Sequence, residues 1–77
     1  MPRFFFDSSH AHEYRRDETG SDFATPEEAL VDAHGAAAEI RAALELIKMS
    51  AENRAIVVRN EQGRVIGSVG LAASQMH

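Results

Sequence analysis

The chain has 77 residues, of which 44% are hydrophobic and 26% charged, and its net charge is −4 with the four histidines neutral. This length allows one small core, and the composition excludes a disordered protein. The negative charge argues against a nucleic-acid binder with a broadly basic surface, and the lack of cysteine excludes a disulfide-stabilised scaffold.

The apolar segments are too short for export or membrane insertion. Arg3 is followed by only three phenylalanines before Asp7, whereas a secretory signal needs about 7–15 apolar residues. No apolar run approaches the roughly 18 residues of a membrane span. We therefore expect a cytoplasmic protein with no membrane partner. It should form one domain over residues 1–77, ordered over about 2–71, with a frayed tail at 72–77.

The N-terminal part predicts a β-hairpin. The aromatic run within residues 3–8 is typical of a strand, and residues 12–16 alternate around Tyr14 as its partner. Turns are expected over residues 9–11 and 17–20, where Gly20 tolerates a positive φ. Residues 21–24 then lead into a helix.

The helix has a well-marked start. Thr25 can cap the amide of Glu28, Glu28 can reach back to the amide of Thr25, and Pro26 suits the first helical position. The helix should end near Met49. One apolar stripe recurs at helical spacing and should face a sheet; it comprises Leu30, Ala33, Ala37, Ile40, Leu44 and Ile47.

A second hairpin follows. Residues 54–59 and 64–71 are predicted strands, joined by a type I turn that closes with a glycine bulge at Gly63. The fold class is thus α+β with the order ββαββ: a four-stranded, mostly antiparallel sheet with one long helix packed on one face. The opposite sheet face, which carries Phe5, stays uncovered, and a bare apolar face usually finds a partner.

The helix also carries a second stripe, opposite the first. Its small residues would allow another helix to approach closely, although alanine also occurs on exposed surfaces because it is the best helix former. The stripe consists of Val31, Gly35, Ala38, Ala42, Leu46 and Met49. We expect a homodimer that forms through this stripe or through the uncovered sheet face.

Two histidines have a spacing that suits a metal ion. His10 and His12 would project from one side of an extended strand, but neither a cysteine nor a second histidine pair completes a site. They are weak candidates, and two solvated histidines in a hairpin are the simpler interpretation. No metal and no cofactor are therefore expected.

A group of arginines offers an alternative function. A basic patch beside Tyr14 would permit phosphate contacts and base stacking, whereas the same residues at strand edges would simply oppose aggregation. The candidates are Arg15, Arg16, Arg54, Arg59 and Arg64. For catalysis, no combination of nucleophile, base and orienting group can be named, so we expect no enzymatic activity.

The order of these motifs resembles a large group of short bacterial proteins known only as a domain of unknown function. The resemblance includes the opening Met-Pro-Arg-aromatic-Phe-Phe, the turn at residues 17–20, the helix start at 26–33 and the turn at 60–64. Residues 8–12 depart from the Asp-Gly type turn usual in the first hairpin. The resemblance implies the same order of elements and a bacterial cytoplasmic setting, but no activity.

A looser likeness connects the chain with HicB-type antitoxins. These also have a hairpin, an acidic stretch and a capped Glu-Glu-Ala-Leu helix, here at residues 27–30. Since no separate DNA-binding segment follows the domain, this likeness concerns the fold alone. The leading prediction is therefore a non-enzymatic interaction and self-association module. The alternative is a nucleic-acid-binding or HicB-like regulator that uses the arginines.

Overall fold

The computed structural model describes residues 1–72, so the predicted frayed tail lies outside the described residues except for Ala72. The elements are β1 (Arg3–His10), β2 (Glu13–Arg15), β3 (Ser21–Asp22), α1 (Pro26–Leu46), β4 (Arg54–Arg59) and β5 (Val65–Gly70). The α+β class is confirmed, and so is the mostly antiparallel sheet with one helix. The prediction of four strands in the order ββαββ was wrong, because the described chain has five strands.

The unpredicted strand, β3, continues the edge begun by β2. The sheet order is β2-β1-β4-β5, and β3 pairs with the start of β1. Phe23 donates its amide to the carbonyl of Pro2 (3.1 Å), and the amide of Phe6 points to the same edge of β1, towards Asp17. Residues 16–20 thus interrupt one edge strand. Strand β3 consists of two exposed polar residues, so no hydrophobic alternation in the sequence predicts it.

The helix begins as predicted and ends earlier. Thr25 Oγ1 accepts the amide of Glu28 (3.1 Å), but the Glu28 carboxylate accepts the amide of Ala24 (3.2 Å) rather than that of Thr25. Helix α1 ends at Leu46 because Lys48 adopts a φ of 60°. The Lys48 and Met49 amides then bond back to carbonyls of the last turn, which is a Schellman ending.

The core lies between α1 and the β4–β5 half of the sheet. Small side chains on the inner side of α1 allow the helix to approach the strands closely, and β-branched residues of the strands complete the packing. The buried apolar residues are Phe4, Ala29, Ala33, Ala37, Leu44, Ile56, Val58, Val69 and Leu71. Leu30 is half-buried against this core.

Two residues predicted to lie in the core are exposed instead. Ile40 is 42% exposed and Ile47 is 62% exposed. Ile47 is the C-cap residue, and Ile40 lines a surface hollow that lies over β1, β2 and the start of β4. Both residues follow the helical spacing of the core stripe. Since α1 covers only part of the sheet, this spacing alone does not determine whether a side chain is buried.

Within residues 1–72, no helix combines the length and the apolar character needed to cross a bilayer.

Candidate functional site

A polar network is buried on the sheet face turned away from α1, called here the open face. Asp7 is fully buried and its carboxylate faces the guanidinium of Arg59, which is 8% exposed. Arg59 Nε donates to Oδ2 (2.6 Å) and Nη2 to Oδ1 (3.1 Å). The Tyr14 hydroxyl and the Asp17 amide donate to the same carboxylate at 2.5 and 2.9 Å. Among the described residues, no buried side-chain nitrogen or oxygen lacks a partner.

Strand register brings these residues together. Phe5 on β1 lies opposite Arg59 on β4, and the guanidinium sits 5.0 Å from the centre of the Phe5 ring. Asp7 is two residues further along the same face of β1, which is within diagonal reach of a long side chain. The arginine therefore pairs with the acid across two strands and covers an aromatic ring at the same time.

Asp17 closes the gap between β2 and β3. Its carboxylate accepts the amide of Phe6 at 3.1 Å, where the edge strand is interrupted, and the amides of Thr19 and Gly20 at 3.0 and 3.2 Å. The side chain thus replaces the backbone carbonyl that a continuous strand would present. The Asp17 amide donates to Asp7, and the Asp17 carboxylate accepts the amide of Phe6. Asp17 therefore holds the loop of residues 16–20 against the sheet.

Both network carboxylates are held in the ionised form. Burial raises the pKa of Asp7, but hydrogen bonds from Arg59, Tyr14 and the Asp17 amide outweigh it and lower the pKa to about 2. Burial also raises the pKa of Asp17, and the amides of Phe6, Gly20 and Thr19 reverse that shift to a net lowering. Because the Tyr14 hydroxyl donates a hydrogen bond to the Asp7 carboxylate, the pKa of Tyr14 is raised. Each of these pKa shifts moves the group further from neutral pH, whereas the optimum for acid–base catalysis lies near it.

Sequence reasoning missed this network. In the sequence Asp7 only ends the aromatic run, Arg59 is one of five arginines of the predicted patch, and residue 17 belongs to a predicted turn. A weak signal was present, since Asp7 shares a strand face with Phe5, and an acid that is buried there must find a positive partner. The sequence contains several arginines at strand ends, and only the register selects Arg59.

The part of the second stripe that lies on α1 faces solvent. We call it the outer face; it consists of Val31, Gly35, Ala38, Ala42 and Leu46, all exposed. The sixth predicted residue, Met49, is also exposed but follows the end of α1 and the left-handed Lys48, so it does not continue the helical stripe. Val31 is 72% exposed, Leu46 83% and Met49 49%. A Cβ atom added at Gly35 would meet no atom within 4 Å. Within the described residues, no other element therefore packs closely against the helix at this glycine.

The structure does not bring the predicted arginines into one patch. Arg59 is neutralised by Asp7 inside the network. Arg64 directly precedes β5, whereas Arg15 lies on β2 at the opposite edge of the sheet. Three strand spacings separate these edges, about 14 Å. Arg16 lies beside Arg15, and Arg54 lines the same surface hollow as Arg15.

The histidines occupy different environments. His10 ends β1 opposite Glu13, and His12 lies in the two-residue turn that joins β1 to β2. Residues 1–72 contain no group of three or more histidine, cysteine, aspartate or glutamate side chains that could hold a metal ion. The spacing of His10 and His12 thus stays a weak indication without a third ligand beside it.

Comparison with known proteins identifies a family. A family model described as "Domain of unknown function (DUF6894)" matches residues 3–72. This region contains all six elements of the fold. No curated protein and no solved structure matches the chain.

Proposed function

Because the chain belongs to the family described as a domain of unknown function (DUF6894), we propose its function from its own surface: it is a non-enzymatic self-association module that forms a homodimer through the outer face of α1. The observation that carries this proposal is the exposure of Val31 and Leu46 on that face, at 72% and 83%. Burying such side chains stabilises a complex by about 25 cal/mol for each Å² removed from water.

The arrangement of the outer face suits a two-fold axis. Val31 and Leu46 are large and stand at its two ends, with Gly35, Ala38 and Ala42 between them. In an antiparallel pair of helices with the axis next to Ala38, Val31 faces Leu46 of the second copy and Gly35 faces Ala42. Each contact then occurs twice, as an isologous interface requires. The small residues allow a short distance between the helix axes, near the lower end of the usual 8–10 Å.

The open face of the sheet is less suited to self-association. Its centre holds the charged pair of Asp7 and Arg59, together with the hydroxyl of Tyr14. These groups already satisfy one another, so a partner there would gain little apolar contact. Of the two surfaces considered from the sequence, the helix is therefore the better candidate.

The arginine-dependent alternative has weaker support. Binding to nucleic-acid phosphates needs several free cations on one surface. Three of the five candidates, Arg15, Arg16 and Arg54, lie near one another. However, Arg59 is paired with Asp7, and Arg64 lies at the other edge of the sheet from Arg15 and Arg16. We therefore propose self-association alone.

Light scattering of the untagged protein over a concentration series tests the proposal. The expected molar mass at high concentration is twice the 8.4 kDa of the chain. Ala38→Glu and Leu46→Glu should shift the equilibrium to monomer, because each places a charge in the interface. Both positions are exposed in the monomer, so the variants should keep the fold, which circular dichroism can verify.

Val65→Glu is the matched control. Val65 is 56% exposed on β5, away from α1, and its replacement should leave the molar mass unchanged. A monomer at every concentration would refute the proposal. A dimer that resists both helix variants but dissociates with Val65→Glu would move the interface to the sheet.

A further inference from the structure

A hollow beside α1 is not used by the proposed interface. It has a volume of about 200 Å³ and opens above the β1–β2 half of the sheet, on the side of the helix. The register explains its floor: Ile56, Ser8 and Arg15 lie side by side on β4, β1 and β2, and Arg54, His10 and Glu13 form the next row. Since Ile56 belongs to the core, both rows face the same side as α1.

The hollow combines an apolar wall with cations. Ile40 and Leu71 line the side nearest the core, and Arg15 and Arg54 line the rest together with His10. Ion pairs among the described residues join Arg3 to Asp22 and Arg59 to Asp7. Neither pair includes Arg15 or Arg54, and within residues 1–72 the Arg54 side chain donates only through its Nε, to the carbonyl of Ser50 (3.1 Å).

The charge balance of the hollow is positive. Among the described residues that line it, Glu13 is the one acid, against two guanidinium groups. A chain of net charge −4 therefore has a local cationic site whose wall is partly apolar. Next to such a wall an anion is screened less than in open water, and guanidinium groups bind carboxylates through paired hydrogen bonds.

We propose that this hollow binds a small organic carboxylate, with the carboxylate between Arg15 and Arg54 and a short aliphatic part against Ile40 and Leu71. The volume is below the roughly 300–1,000 Å³ of sites for drug-sized ligands, which limits the ligand to a small acid. A fully hydrated inorganic anion would leave the apolar wall unfilled. The site does not depend on the outer face of α1, so it can be tested whatever the oligomeric state.

Two-dimensional NMR of ¹⁵N-labelled protein tests the site. Hexanoate is the probe, and hexanol and inorganic phosphate are controls that lack the charge and the apolar part, respectively. We expect saturable shifts with hexanoate for the amides of Ser8, His10, Arg15 and Ile56, which line the hollow. Hexanol and phosphate should bind at least several-fold more weakly.

Variants then assign the cations. Arg15→Gln and Arg54→Gln should each weaken hexanoate binding by about tenfold, the usual effect of losing one charge-assisted hydrogen bond. Arg64→Gln is the matched control, since Arg64 is exposed and lies outside the hollow. Non-saturable shifts, equal binding of phosphate or hexanol, or equal effects of the Arg15 and Arg64 variants would each overturn the proposal.

Discussion

Replacing Asp7 by leucine should strongly destabilise the domain, although the aspartate side chain is small. Asp7 lies on the open face, remote from the core under α1, yet its carboxylate accepts four hydrogen bonds. In Asp7→Leu, the side chain of Arg59, only 10% exposed, keeps its charge and loses its carboxylate partner, with one bond left to the Asp17 carbonyl (3.3 Å). The Asp17 amide loses its acceptor too, which removes one of the bonds that hold the loop of residues 16–20, while the Asp17 carboxylate keeps its bond from the Phe6 amide.

The expected cost follows from the burial of both partners. Removing one member of a buried ion pair typically costs about 3–5 kcal/mol, because the other charge stays desolvated. The whole stability of a domain this size is roughly 4–12 kcal/mol. Asp7→Leu should therefore remove about a quarter or more of the free energy of unfolding. When Asp7→Leu is combined with Arg59→Met, the loss of unfolding free energy should fall to about 1–3 kcal/mol. This remaining cost comes from the Asp17 amide, which still has no acceptor.

Urea unfolding followed by circular dichroism measures all four members of this double-mutant cycle. Protein concentration must be equal throughout, because association would add to the apparent stability. The double variant should be more stable than Asp7→Leu alone. The coupling between the two sites should then be at least about 2 kcal/mol.

An exposed ion pair in the same protein provides the control. Arg3 and Asp22 are joined at 3.1 Å with their side chains 49% and 48% exposed. The cycle of Arg3→Met and Asp22→Asn should yield a coupling below about 1 kcal/mol. If the two cycles showed equal coupling, or if Asp7→Leu and Arg59→Met were additive, burial would not be the reason for the strength of the network.

Two further predictions concern acid and the helix end. The pKa of Asp7 is lowered from 3.8 to about 2 in the folded chain, so its contribution is complete above pH 4 and is lost as the pH falls towards 2. The loss should be about 2 kcal/mol of unfolding free energy in urea titrations between these pH values; an unchanged urea midpoint would contradict it. Lys48→Gly should raise stability by about 1 kcal/mol, because Lys48 has a φ of 60° that glycine adopts without strain. Asn53→Gly, at a φ of 62°, should raise it less, since asparagine tolerates this region; equal effects would refute the strain argument.

Most elements were predictable because their signals are local. The cap at Thr25 and the proline after it mark the start of α1, and the β-branched run with a glycine turn marks the second hairpin. Gly63 has the positive φ of 85° that the predicted glycine bulge requires. The exposure of the second helical stripe also agreed with its position opposite the core stripe.

The misplaced residues were those whose environment depends on distant parts of the chain. Ile40 and Ile47 have core periodicity, but only the width of sheet beneath α1 decides whether a side chain there is covered. Strand β3 exists because β1 offers an unpaired edge at Arg3 and Phe4, not because its two residues favour a strand. The hollow arises in the same way, from the offset of α1 towards β4 and β5.

The sequence by itself determined the α+β class, the helix start, both hairpins and the solvent-facing stripe, since turn chemistry and periodicity act over a few residues. Only the tertiary structure decided which charges meet. Asp7 and Arg59 are 52 residues apart, and from the sequence several arginines could have paired with Asp7. Strand register made the choice, because it places one guanidinium within reach of a buried carboxylate and leaves Arg15 and Arg54 facing the hollow.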